Sequence, residues 1–258
     1  MIAQMPLSFL PFIFLPVLST IVGGCAVFFW KKDLHPWLSL SGGVLLGVAF
    51  LDLLPEAVTR GLEAGWNVSV VLAATLGSVI FFHLLDIAFG WHGHHEHPRE
   101  DPVESCENKR HRENAGWIRA GSMVAHSFLD GIAIGGGFAA DARLGALVTL
   151  AVVMHDFSDG MSTVTVLRHA LGEKRRGIFS LLVADALAPF VGAFIGTKLA
   201  PSLSALAILL ASFSGFFIFL SLSELLPQAH QGRMSRRLGF GLTLLGVIGV
   251  AFMRRYMP

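Results

Sequence analysis

Charge is scarce in this chain. Asp, Glu, Lys and Arg together make up 14% of its 258 residues, where about 25% is usual for a soluble domain. That scarcity excludes a disordered chain, which depends on a polar and charged composition. Neither sign dominates, because the formal net charge is +1 and the basic residues are divided among short loops. A surface that binds nucleic acid is thereby excluded. Cysteine is nearly absent, and Cys25 and Cys106 make no disulfide framework. Cys25 reads as a small core residue and Cys106 as an inert thiol in a polar loop. Strand-like alternation is missing as well, which excludes a closed membrane barrel.

What the chain does have is apolar sequence: 53% hydrophobic residues and a mean hydropathy of +0.65. Apolar stretches lie near 7–30, 38–59, 66–90, 117–140, 143–167, 177–199, 203–226 and 237–256. Each is about 20 residues or longer, the length a helix needs to cross the hydrocarbon core. The expected fold is therefore all-α, a polytopic membrane protein of eight transmembrane helices. Residues 1–90 hold the first three spans, 91–116 a polar loop, 117–167 spans four and five, and 168–258 the last three. One set of alternate loops holds only Arg60, Arg143, Lys198, Arg254 and Arg255 of the 19 Lys and Arg residues. By the positive-inside rule that set is external, so both termini lie outside and the 91–116 loop is cytoplasmic.

Two repeats point to internal symmetry. HSFLDG at His126–Gly131 and HDFSDG at His155–Gly160 share H-x-F-x-D-G on consecutive, antiparallel spans, and LDLLPEA at Leu51–Ala57 resembles SELLPQA at Ser223–Ala229. The latter pair also falls on oppositely directed spans, the pattern of an inverted repeat whose broken helices meet a substrate near the midplane.

The spans contain acids that the bilayer penalises. Asp130, Asp156, Asp159 and Asp185 together cost on the order of 10 kcal/mol on insertion scales, so something must compensate them. His126 and Asp130 are four residues apart, as are His155 and Asp159, which puts each pair on one helix face. Two such faces packed together suit a borderline divalent cation such as Zn²⁺, Fe²⁺ or Mn²⁺. The alternative for each pair is a self-satisfied His–Asp hydrogen bond. Pro189 follows Asp185 by four residues and frees its carbonyl, so carboxylate and carbonyl can face one place. Four aspartates around a single dication leave negative charge uncompensated, so either a second cation binds or two carboxylates keep their protons. Asp52, Glu56 and Glu224 sit nearer the ends of their spans, where snorkelling or an access path fits them. Among the glycines, Gly135, Gly136, Gly137, Gly192 and Gly196 suit close helix packing. In the polar loop His92, His94, His95 and His97 form a short His-rich tract suited to metal capture.

These residues resemble the ZIP (Zrt/Irt-like) family of divalent metal transporters. The likeness rests on HSFLDGIAIG, similar to the family's H-N-F-x-D-G-x-A-I-G, on HDFSDG, similar to H-E-x-P-E-G, and on LLPEA in the second span. It implies that His126, Asp130, His155, Asp156 and Asp159 line a transport site that often holds two metals. It also implies a homodimer, and movement of a bundle containing spans four and five against a scaffold. The chain departs from the pattern at Ser127 for Asn, Ser158 for Pro, Asp159 for Glu or His, and Ala188 for Glu; losing the Asn and that last acid weakens the second metal position, unless Asp185, one turn earlier, substitutes, and so favours one metal with shared protons. The expected cargo is Zn²⁺ first, with Fe²⁺ or Mn²⁺ next, in the cell (inner) membrane, with the lipid bilayer as its surroundings and no organic cofactor. An intramembrane zinc hydrolase is the rival reading, but HDFSD is not H-E-x-x-H, and the excess of acids over His favours a labile ion. A proton-coupled carrier of an organic solute, built on Asp/His relays, is a third.

Overall fold

In hydrocarbon a backbone must satisfy its own polar groups, and each apolar run does so as a helix. The computed structural model describes residues 10–29, 35–89, 106–171, 175–199, 202–230 and 234–256. Among them there is no strand. The helices are α1 (Leu10–Phe29), α2 (His35–Val48), α3 (Leu54–Glu63), α4 (Val68–Phe89), α5 (Cys106–Ala140), α6 (Ala142–Leu171), α7 (Arg175–Leu199), α8 (Leu203–Leu220), α9 (Leu226–His230) and α10 (Arg236–Tyr256). Seven of the helical segments are long and apolar enough to cross a membrane, counting α2–α3 and α8–α9 as one each; α1 adds a shorter apolar stretch, Pro11–Val27. The helix α5 starts at Cys106, so segment 91–116 is helical from that residue on. His92, His94, His95 and His97 lie outside the described residues.

The two proline-bearing repeats take the same local form. A single π-helical turn, Ala49–Leu53, joins α2 to α3, and another, Ser221–Leu225, joins α8 to α9. Proline at 55 or 227 has no N–H and its ring crowds the carbonyl four residues back. Widening the preceding turn relieves that clash, with Leu54 N–H reaching Ala49 O and Leu226 N–H reaching Ser221 O, five residues back in each case. The two broken helices also grip each other, through Ser221 Oγ donating to Gly42 O at 2.8 Å and Ser214 Oγ donating to Ala49 O at 3.1 Å.

Packing divides the helices into a bundle of α1, α5, α6 and α7 and a frame of α2, α3, α4, α8, α9 and α10, which meet mainly where α2 lies against α6 and α5 against α8. Within the bundle α5 and α7 come so close that a Cβ on Gly131 would run into the backbone of Pro189, and one on Gly192 into that of Phe128. This is the close packing expected of glycine in membrane helices. Cys25 departs from expectation. It is exposed on α1, because a residue facing lipid is as apolar as one facing the core and composition does not separate the two.

Candidate metal centre

Antiparallel α5 and α6 are joined at Asp141, whose Oδ1 accepts the N–H groups of Arg143 at 2.8 Å and Leu144 at 3.3 Å and so caps α6. That tight connection brings the two H-x-F-x-D-G motifs face to face. His126 Nε2 lies 3.3 Å from Asp130 Oδ2 and 3.4 Å from Asp159 Oδ2. His155 Nε2 lies 3.3 Å from Asp130 Oδ2, 3.6 Å from Asp156 Oδ1 and 4.0 Å from Asp159 Oδ2. A self-satisfied pair on each helix would not interleave in this way.

The spacing suits a small cation. Tetrahedral bonds of about 2.1 Å put ligand atoms roughly 3.4 Å apart, close to the His–Asp separations here. Two metal-capable triads emerge, His126 with His155 and Asp159, and Asp130 with His155 and Asp156, each with its ligand atoms within 4.8 Å of one another. Both triads use His155.

Burial makes the case stronger. Asp130, His155 and Asp156 are wholly buried and His126 is 6% exposed. Asp130 Oδ1 and Asp156 Oδ1 accept no hydrogen bond among the described residues. An orphaned carboxylate oxygen inside a membrane protein is costly unless a cation meets it. The His155 ring is already aimed, since its Nδ1 lies 2.9 Å from Ala151 O. A carbonyl can only accept, so Nδ1–H is the donor there, and Nε2 faces Asp130 at 3.3 Å as the ring nitrogen that a metal would take once its proton leaves.

Asp185 sits on α7 beside this group and outside both triads. Its Oδ1 accepts from Ser127 Oγ at 2.7 Å and its Oδ2 from Thr163 Oγ1 at 2.8 Å. Ser158, where the family pattern has Pro, turns its hydroxyl back onto His155 O at 2.6 Å. Sequence reasoning missed Thr163, and also Thr20, whose Oγ1 donates to Asp156 Oδ2 at 3.4 Å. It missed Phe216 and Phe217 of α8 as well, whose rings sit 5.1 Å from His126 and 6.3 Å from His155 by centroids. A lone Thr or Phe in an apolar span carries no signal that would single it out.

The other acids do not join the centre. Glu224 is half-buried on the second π turn. Asp52 and Glu56 line a separate cavity with Arg143, at the start of α6, about 18 Å along that helix from His155 at 1.5 Å per residue. Between them Leu147, Val148, Ala151 and Val152 are fully buried, so the two places are divided by dry apolar packing.

Comparison with known proteins bears on this arrangement. The family model described as ZIP zinc transporter matches residues 92–254. The chain is similar to the zinc transporter ZupT of Chlorobium luteolum, 30% identical over 209 residues that cover 78% of each chain. It is similar to ZupT of Campylobacter jejuni, 27% identical over 82% of this chain and 83% of that one. Human zinc transporter ZIP4 is 32% identical over 51% of this chain and 20% of its own length.

Proposed function

The chain belongs to the ZIP family of zinc transporters, and on that premise we propose that it carries a divalent transition-metal cation into the cytoplasm through the centre on α5, α6 and α7. Zn²⁺ is the first choice of cargo, with Fe²⁺ and Mn²⁺ behind it. The protein is an integral membrane protein of the cell membrane and a transporter, not an enzyme, which sets aside the hydrolase alternative.

The observation that carries the proposal is the pair of interleaved triads around His155, buried within membrane-spanning helices, with carboxylate oxygens left for a cation to meet. His126, Asp130, His155, Asp156 and Asp159 are the ligands. Asp185 is held in reserve beside them, its carboxylate oriented by the hydroxyls of Ser127 and Thr163. A donor set richer in carboxylate than in imidazole binds a transition metal loosely enough to release it. Movement of the α1, α5, α6 and α7 bundle against the frame carries the site between the two sides, and the frame supplies the contact of a homodimer. Both termini face outward, which makes the His92–His97 tract a cytoplasmic place for metal to be captured on exit; Asp52, Glu56 and Glu224 mark the access paths.

Thermal unfolding of the purified chain with and without Zn²⁺ tests this reading. Bound ligand raises the midpoint by mass action, and that rise should weaken in His126→Ala. Equal protection in the variant would contradict the site.

A further inference from the structure

The cavity at the opposite end of α6 from the cytoplasm has a volume of about 350 Å³ and is lined by Asp52, Glu56, Arg60, Asp141, Arg143 and Arg254. Acids and arginines are equal in number there, yet their partners are unevenly distributed. Arg60 is held by Glu56 at 2.8 Å and by Glu63 at 3.3 Å. Asp141 is used by the backbone of α6, and Arg143 Nη1 donates to the main-chain oxygen of Arg254 at 3.1 Å. Asp52 is left over. It is 4% exposed, and neither carboxylate oxygen accepts a hydrogen bond among the described residues. Arg254 is its nearest cation, with Nε 3.8 Å away, too far for a hydrogen bond, while Arg143 acts on it from farther across the cavity.

A buried carboxylate with two free oxygens, opening on a polar cavity, is a cation's place. The space admits a dication that keeps its water, since six waters at roughly 30 Å³ each take about 200 Å³. Arg254 is 42% exposed, so its long side chain can swing out while Asp52, fixed in the π turn, cannot follow.

We infer that Asp52 is a docking site for a hydrated divalent cation at the outer mouth, and that Arg254 is a built-in competitor which occupies this carboxylate until the cation displaces it. This rests on the reading of the chain as a metal importer with that mouth outside. The buried apolar residues between Asp52 and His155 keep docking separate from binding at the centre. A cation held here waits for the bundle to move.

The two sites can be told apart by counting bound Mn²⁺, whose free form is read by electron paramagnetic resonance, with the full chain in lipid nanodiscs. Mn²⁺ suits carboxylate and water ligands. An Asp130→Asn, His155→Ala, Asp159→Asn variant removes the centre. The expected result is a weak remaining site, lost when Asp52→Asn or Asp52→Ser is added. Arg254→Gln in the same background should tighten it about fivefold, the effect of deleting one partly exposed ion pair. Remaining binding that ignores Asp52, or no binding even with Arg254→Gln, would overturn the proposal. If the centre variant binds as many ions as the wild type and Asp52→Asn then removes one of them, the central site fails and the docking site stands.

Discussion

His155 Nδ1 lies 2.9 Å from the carbonyl oxygen of Ala151, one turn earlier on α6. This contact fixes the ring so that Nε2 faces Asp130 and Asp156 at 3.3 Å and 3.6 Å, and it makes His155 the member common to both triads. Losing His155 therefore removes a ligand from either way of holding a metal.

Accordingly, His155→Ala or Asp159→Ala should reduce metal flux to the background of empty liposomes. The apo protein should stay folded, because each change deletes an ionisable group that the bilayer penalises. Flux together with the thermal midpoint of the metal-free protein checks both halves. A parallel fall in apo stability would make these residues structural.

Metal uptake by the centre should release protons and tighten as pH rises, since imidazole and carboxylate ligands must be free of protons to bind. The sign follows directly: protons compete with metal, so acid weakens binding. With Asp185 engaged by Ser127 and Thr163, saturation is expected at one metal per chain in this centre. Calorimetric titration in buffers of different ionisation enthalpy measures proton release and stoichiometry together. Two metals in the centre without proton release would contradict the assignment.

Replacing His92, His94, His95 and His97 by Ser should change flux severalfold at most, because a short His-rich tract in a polar segment captures a passing ion without forming the membrane pathway. Complete loss of flux would move the essential site into that loop.

Gly131→Ala should destabilise the protein by about 1–3 kcal/mol, the usual penalty for overpacking, because the new methyl meets the backbone of Pro189. Gly77→Ala, with open space around its Cβ position, is the control and should leave the thermal midpoint in place.

Much of this molecule is legible in its sequence because the bilayer imposes simple rules. Apolar runs of sufficient length become helices, and the His126/Asp130 and His155/Asp159 spacings put four side chains on two faces that α5 and α6 bring together. Pro55 and Pro227 announce breaks, but whether a break becomes a kink or a π turn depends on packing, here Ser214 on Ala49 and Ser221 on Gly42. Cys25 was illegible for a different reason: lipid and protein interior select the same residues. Asp185 stands out as an acid in a span, yet its hydroxyl partners lie 58 residues before it at Ser127 and 22 before it at Thr163. Such pairings come from the approach of α5, α6 and α7 and leave no local pattern.

The most direct test of the central claim is flux of Zn²⁺, Fe²⁺ and Mn²⁺ into proteoliposomes, comparing the wild-type chain with the His126→Ala, His155→Ala double variant. The account predicts saturable entry of at least Zn²⁺ with the wild type and none above background with the variant. Equal flux from the two would contradict it.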